Sequence, residues 1–422
     1  MMTERMLPKK GQLAFLDWEF GVFFHFGIRS FYPGHVDWDG REMPPSGFCP
    51  ENLDCEDWIL AAKEAGATYT VLTAKHHDGF SLWPSAYSSY SIADTPWKDG
   101  RGDVIRDYVD ACRKHGIKVG LYYSPAQWGG SAIKFSNEKE YDDYFINQIT
   151  ELLTNYGRID YLWFDGCGSE GHVYDRERIV AEIFRLQPHI LTFCDPEWTP
   201  CVRWVGNEDG YASLINPLVV SKTDYSMLAT EEQILSEAVF LPSECDCKIR
   251  DTWFYDLNEE TLKSLDELFG MYEMSVGHGS NFLLNVGPDS RGLLHDADKK
   301  RLLELGARIR RIYGNPLPFD PVVQEEENIW SITRSDGKGR GELINRVAIS
   351  EDLGGGQRIT GFRLYAQLPT YTKKRICIYS GETVGHKLIC PFGAIRAGKL
   401  TLEVTSSDGK AVIRDIKAYY AD

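Results

Sequence analysis

Between residues 20 and 190, short β-branched or aromatic runs alternate four times with longer segments of helical period, and no other feature restricts the fold as much. "GVFFHFGI" (21–28), "TYTVLTAKH" (68–76), "IKVGLYYS" (117–124) and "DYLWFDG" (160–166) read as strands. "DVIRDYVDACRKHG" places Ile105, Tyr108, Val109 and Cys112 on one helix face and stops at Gly116. "NEKEYDDYFINQITELLTNYG" repeats the logic with Tyr141, Phe145, Ile149, Leu152 and Tyr156 before Gly157. Strand, helix, strand, helix in this order implies parallel pairing with right-handed crossovers. Four such units admit a doubly wound sheet or a (β/α)8 barrel. Further strand candidates at "ILTFCD" (190–195), "VRWVGNE" (202–208), "AVFLPSE" (238–244) and "NFLLNVGPD" (281–289) favour the barrel. No helix of ordinary length fits between the fifth and sixth, so the expected fold is an irregular TIM-like (β/α)8 barrel, closed by the amphipathic segment "KKRLLELGARIRRIYG".

Beyond "GNPLPFDPVV" (314–323) the period changes to two, as in Phe362, Leu364 and Ala366 and again in Leu402 and Val404, with glycine-rich turns between. This predicts a catalytic barrel over 1–316 and a C-terminal β-sandwich over 317–422. "DGKGRG" lacks the lysine-serine pair and following helix of a phosphate loop and reads as a turn. The sandwich tyrosines, Tyr365, Tyr371, Tyr379, Tyr419 and Tyr420, form no evident exposed row, so the domain reads as a buttress for the barrel.

A net charge of −16, from 46 basic and 62 acidic residues, argues against a nucleic-acid partner, because nothing resembling a basic stripe offsets it. No run approaches the roughly 18 apolar residues of a membrane span. The start, "MMTERMLPKKGQLAF", lacks the apolar core of a signal peptide, and the expected location is cytoplasmic. Ten cysteines without C-x2-C pairs read as buried small hydrophobes in a reducing compartment.

In such a barrel the chemistry sits where strands end, on the C-terminal face. The eight candidate ends are His25, His76 with His77, Ser124, Asp165, Asp195, Glu208, Glu244 with Asp246, and Asn285. Turn formation and helix capping account for serine, aspartate and asparagine there, but not for histidine and glutamate. Trp163 lies two residues before Asp165 and points to the same side of the strand. An aromatic plane beside a carboxylate, ringed by histidines, suits a pyranose: the apolar face stacks on the indole while hydroxyls bond to imidazole and acid groups. A metal centre is the competing use. His76 and His77 are adjacent rather than two apart and no H-E-x-x-H is present, so no metal and no other cofactor is expected. Cleaving a glycoside needs a second carboxyl group, and spacing alone does not choose between Glu208 and Glu244.

The segments "FHFGI", "TAKHHDGFSLWPSAYSSYSI", "GLYYSP", "YLWFDG", "RWVGNEDGYA", "ECDCKIRDTWFY" and "SNFLLNVGPDSRGLLHDAD" together resemble the α-L-fucosidases of glycoside hydrolase family 29. The likeness spans about 15–315, and "QRITGFRLYA" extends it into the sandwich. The resemblance implies a retaining mechanism with Asp165 as nucleophile and His25, His76, His77 and Trp163 around the fucose. "RWVGNE" resembles the branch acting on α-1,3/1,4-linked fucose of Lewis-type glycans, which gives Glu208 the role of general acid and base. Two departures bear on the leaving-sugar side. "DWDG" (37–40) stands where that branch reads Glu-Trp-Gly-Asp-Gly, and "SPAQW" stands where it reads "SPWD". Fucose lacks a 6-hydroxyl, so its methyl group needs an apolar wall, for which Trp38 and Trp253 are the candidates. Of Tyr122 and Tyr123, alternation lets one face inward, and Tyr122 is chosen. The two catalytic carboxyls of a retaining enzyme are expected about 5 to 5.5 Å apart. The expected partner is a fucosylated oligosaccharide.

Overall fold

Eight parallel strands close into a barrel in chain order: β1 (Phe20–Phe24), β2 (Tyr69–Lys75), β3 (Lys118–Tyr123), β4 (Tyr161–Phe164), β5 (Leu191–Phe193), β6 (Cys201–Trp204), β7 (Ser243–Lys248) and β8 (Asn281–Asn285). β8 pairs back onto β1, with Phe20 opposite Phe282. The computed structural model describes residues 3–34, 40–126, 135–166, 172–193, 201–223, 233–334, 341–369 and 374–422. Strands buried on both faces read as near-continuous apolar runs. Val22 and Phe24 face the helical layer, whereas Phe23, Tyr69, Val71, Tyr122, Tyr161, Trp163 and Phe193 fill the barrel interior.

The helices are α1 (Lys10–Leu16), α2 (Cys55–Ala65), α3 (Val104–His115), α4 (Glu138–Asn155), α5 (Arg176–Leu186), α6 (Leu265–Ser275) and α7 (Asp296–Tyr313). Asp54, Asp103, Asn137, Asp175 and Ser264 start α2 to α6 by accepting a first-turn N–H with the side chain. Gly116 ends α3 at φ +71°, the left-handed stop read from the sequence. The link between β5 and β6, residues 194–200, lies outside the described residues. The short α1 was not foreseen. It closes the N-terminal end of the barrel, where Gln12 Nε2 donates to the carbonyls of Cys201 (3.0 Å) and Phe240 (2.8 Å), and Phe15 enters the interior against Tyr161.

Two strand ends differ from expectation, and the differences matter for the site. The seventh strand is not 238–244: Gln233–Phe240 pairs antiparallel with Val219–Thr223 outside the barrel, and the barrel strand is Ser243–Lys248. An apolar run marked the wrong segment because β7 turns its charged residues inward and its cysteines outward, the reverse of the usual pattern. Glu244 is therefore near the beginning of its strand. β6 stops at Trp204, which puts Glu208 on the following loop rather than at a strand end. β8 stops at Asn285. The candidate end Asp195 lies outside the described residues.

After α7 come β9 (Val323–Glu326), β10 (Ile329–Thr333), β11 (Glu342–Glu351), β12 (Ile359–Gln367), β13 (Arg375–Gly381), β14 (Leu388–Ala397), β15 (Lys399–Ser407) and β16 (Ile413–Tyr419). They form a five-stranded sheet of order β9-β10-β15-β12-β13 and a three-stranded sheet of order β14-β11-β16. Trp330, Ile344, Val347, Phe362, Leu364 and Leu402 make the core of this β domain. It docks on the barrel through Ile389 N–H to the Gly277 carbonyl (2.8 Å), Arg346 to Glu273 (2.9 Å) and the rings of Tyr313 and Tyr419 (5.1 Å). The "DGKGRG" turn and Tyr371 fall outside the described residues, apart from Gly341. Of the eight described cysteines, all free thiols, six are buried; Cys49 and Cys377 are exposed, which corrects the expectation of a uniformly buried set. Among the described residues no helix is long and apolar enough to cross a membrane.

Candidate active site

β4 delivers the central group. Tyr161, Trp163 and Asp165 point inward in series, and Asp165, just past the strand, reaches the C-terminal mouth with its side chain 20% exposed. Tyr122, inward on β3, donates its hydroxyl to Asp165 Oδ2 at 2.8 Å. His77, two residues past β2, places Nε2 3.4 Å from the same oxygen while its Nδ1 lies 2.6 Å from Ser124 Oγ. The ammonium of Lys75 donates to the Ser124 carbonyl at 2.5 Å and lies 4.4 Å from the centre of the Tyr123 ring. Burial holds its pKa down at about 7. Lys75 thereby fixes the turn that presents Ser124 to His77. Tyr123 faces the helices instead, with its hydroxyl on Gln148.

β1 and β8 supply the next wall. His25 follows β1, and its Nδ1 lies 2.7 Å from Asn285 Oδ1, the last residue of β8. Asn285 Nδ2 donates to the Trp253 carbonyl at 2.6 Å, which fixes the amide orientation. The oxygen facing His25 can only accept, so Nδ1 carries the proton. Burial pushes the His25 pKa down to about 3 despite the Asn285 bond and the charge of Asp165, so the ring is neutral. Its Nε2 is consequently an acceptor, suited to a hydroxyl donor. His76 is also held well below the usual histidine range, by burial and then by His77 and His25. Its ring stacks on Tyr122 (5.4 Å, 13°) and meets the edge of Phe254 (5.1 Å, 85°).

The remaining wall comes from the segments after β6 and β7. Trp253 stacks on His25 (4.8 Å, 28°). Lys248, the last residue of β7, lies 4.8 Å from the centre of the Trp253 ring and pairs with Glu208 Oε2 at 2.7 Å. The Glu208 side chain is 46% exposed. Asp246, inward on β7, accepts from Trp204 Nε1 at 2.6 Å; burial and then the nearby Glu208 charge hold its carboxyl well above the usual range. A buried ion pair of Arg250 with Asp298 (2.7 Å) ties the Trp253 segment to α7.

The structure thus gathers His25, His76, His77, Tyr122, Trp163, Asp165 and Trp253 at one mouth, with Glu208 joined to it through Lys248. Trp38 lies outside the described residues. Glu244 is set apart: fully buried beneath Trp163, it is closed off from the mouth. One expectation about Trp163 is corrected. Its indole is covered by Phe193 (3.8 Å, 10°) and by Tyr122 (5.4 Å, 27°), so it supports the wall rather than offering a face to a sugar. Lys248 and Phe254 were missed. The i, i+2 spacing of Glu244, Asp246 and Lys248 would have shown Lys248, had the strand been placed correctly. Among the described residues no three histidine, cysteine or acidic side chains are grouped to hold a metal ion.

Comparison with known proteins bears on this arrangement. A family model described as Alpha-L-fucosidase matches residues 3–314. "Alpha-L-fucosidase 1" of Arabidopsis thaliana is 32% identical over 440 aligned residues, covering 95% of this chain and 85% of that protein. A crystal structure from Bacteroides ovatus ATCC 8483 superposes with a TM-score of 0.86 at 34% identity, over 99% of this chain and 74% of that one. A glycoside hydrolase 29 family member from an unknown rumen bacterium gives a TM-score of 0.85 at 30% identity, over 99% of this chain and 77% of the other.

Proposed function

The chain belongs to the α-L-fucosidase family of glycoside hydrolase family 29, and on that premise we propose a retaining enzyme that releases α-1,3/1,4-linked L-fucose from branched glycans. The Asp165 carboxylate attacks the anomeric carbon as the bond to the leaving oxygen breaks, and Glu208 gives that oxygen its proton. Water then attacks the glycosyl-enzyme, Glu208 takes its proton, and the bond to Asp165 breaks with the configuration at carbon one retained. Neutral His25 accepts a hydrogen bond from a fucose hydroxyl, while His76 and His77 line the same wall. Trp253 and Phe254 supply apolar surface for the fucose methyl group. The Lewis-type linkage is supported by the "RWVGNE" segment that carries Glu208.

The observation that carries this reading is the hold on Asp165: an inward carboxylate at the barrel mouth, oriented through one oxygen by Tyr122 and His77. Glu208 suits the acid and base role better than Glu244, because a carboxyl sealed under Trp163 cannot reach a leaving oxygen. The test is NMR of the first sugar released, together with the variant Asp165→Ala. The reading requires α-L-fucose as first product and loss of turnover with fucose binding kept. An initial β-anomer, or full turnover by the variant, rejects it. Hydrolysis of a Lewis-type trisaccharide is compared with that of an aryl α-L-fucoside, and a strong preference for the aryl compound rejects the linkage.

A further inference from the structure

We propose that Glu244 is a positioning residue for Asp165, holding from the barrel floor the aromatic column against which the nucleophile rests. This rests on the nucleophile assignment given above. Glu244 has no solvent exposure and accepts three hydrogen bonds: Tyr69 hydroxyl at 2.6 Å, Tyr161 hydroxyl at 2.9 Å and Trp163 Nε1 at 2.9 Å. A carboxyl in the middle of a barrel core is costly where an apolar side chain could fill the space. Here it joins β7 to β2 and twice to β4.

The ties to β4 give the group its reach. Tyr161, Trp163 and Asp165 are successive inward residues of one strand; Glu244 binds the first two, and the third is the nucleophile. A second route runs through the rings: the indole held by Glu244 packs on Tyr122, whose hydroxyl orients Asp165. The packing around the carboxyl is matched to it. A Cβ on Gly21 would come within 2.4 Å of the Tyr69 ring, so glycine leaves space for the phenol that reaches Glu244. The titratable groups around Glu244 are Tyr69 and Tyr161, which donate to it, and Asp246 two residues along β7. Catalytic attack tolerates little displacement of the nucleophile, so a fixed floor affects rate more than binding.

The test uses the full chain and an aryl α-L-fucoside. Glu244→Leu, which removes both acceptor oxygens, should lower kcat about tenfold or more, as expected when buried donors lose their acceptor, with KM changed less than about threefold. Trp163→Phe, which keeps a ring in the stack but removes the indole N–H, should show the same split. The double variant should lose little more than the worse single one, since both delete the same bond. Wild-type kcat in Glu244→Leu, or additive losses in the double variant, overturns the proposal. Should Glu244→Leu fail to fold, Trp163→Phe decides: unchanged kcat overturns it and the kcat-specific loss sustains it. Turnover by Asp165→Ala would instead sink the nucleophile assignment, whatever Glu244 does; an inactive Asp165→Ala beside a fully active Glu244→Leu sinks this inference alone.

Discussion

The hydroxyl of Tyr122 donates to Asp165 Oδ2 across 2.8 Å, and His77 Nε2 meets the same oxygen at 3.4 Å. Two groups from neighbouring strands therefore set the orientation of one carboxylate.

Tyr122→Phe keeps the ring between His76 and Trp163 and deletes only the hydroxyl. A hydrogen bond to a charged group is worth about 1.5 to 3 kcal/mol, so kcat/KM on an aryl α-L-fucoside should fall about ten- to hundredfold. Steady-state kinetics measure this, and an unchanged value would show the bond to be idle.

Glu208 is half-exposed and paired with Lys248, so its removal should change stability by less than about 1 kcal/mol. Glu208→Ala should retain the first step on an activated aryl fucoside, whose leaving group needs no proton, but stall afterwards. Added azide should restore turnover and yield α-L-fucosyl azide. Absence of rescue, or a β-azide, would assign the acid and base elsewhere.

His25 is predicted to stay neutral far below the ordinary histidine range, since burial pushes its pKa down to about 3. Histidine NMR signals followed from pH 9 to pH 4 should show no titration of this ring, with the proton on Nδ1 throughout. Asn285→Leu removes the acceptor that fixes this tautomer and should lower kcat/KM about tenfold, near the upper end for one neutral hydrogen bond. An ordinary titration near pH 6.5 would contradict the assignment.

Glu351 tests the pH response away from the site. Its carboxyl accepts the N–H groups of Arg358 (2.6 Å) and Ile359 (3.2 Å), and burial pushes its pKa up to about 7. The folded value lies above the unfolded one, so this group's contribution is fully present below about pH 4.5 and is lost as pH rises through 7. The loss is on the order of 3 kcal/mol. Glu244, also raised to about 7 by burial, acts in the same direction. Glu19 acts oppositely: its carboxyl is lowered to about 2, against its burial, by His386 and Lys387, and its contribution is lost as pH falls below 4.5. Glu351→Gln should therefore flatten part of the decline in urea midpoint between pH 4.5 and 7. An unchanged slope would refute it.

By itself the sequence determined that strands and helices alternate around a barrel, that histidines and Asp165 close its strands, and that a domain of period two follows. These features are legible because they are local: a helix face, a strand's two sides and a left-handed stop such as Gly116 depend on residues a few positions apart. The tertiary structure decided which glutamate is withdrawn from the mouth. Glu244 and Glu208 look alike in sequence, yet the register of β7 sends Glu244 to partners 81, 83 and 175 residues away in the chain, which seal it into the floor. The same holds for Trp163, whose faces are filled by residues of the neighbouring strands β3 and β5, and for Lys248, whose inward charge makes sense only beside Glu208. Periodicity reports which side of a strand a residue occupies; what waits on that side is supplied by other strands, and only closure of the barrel brings them together.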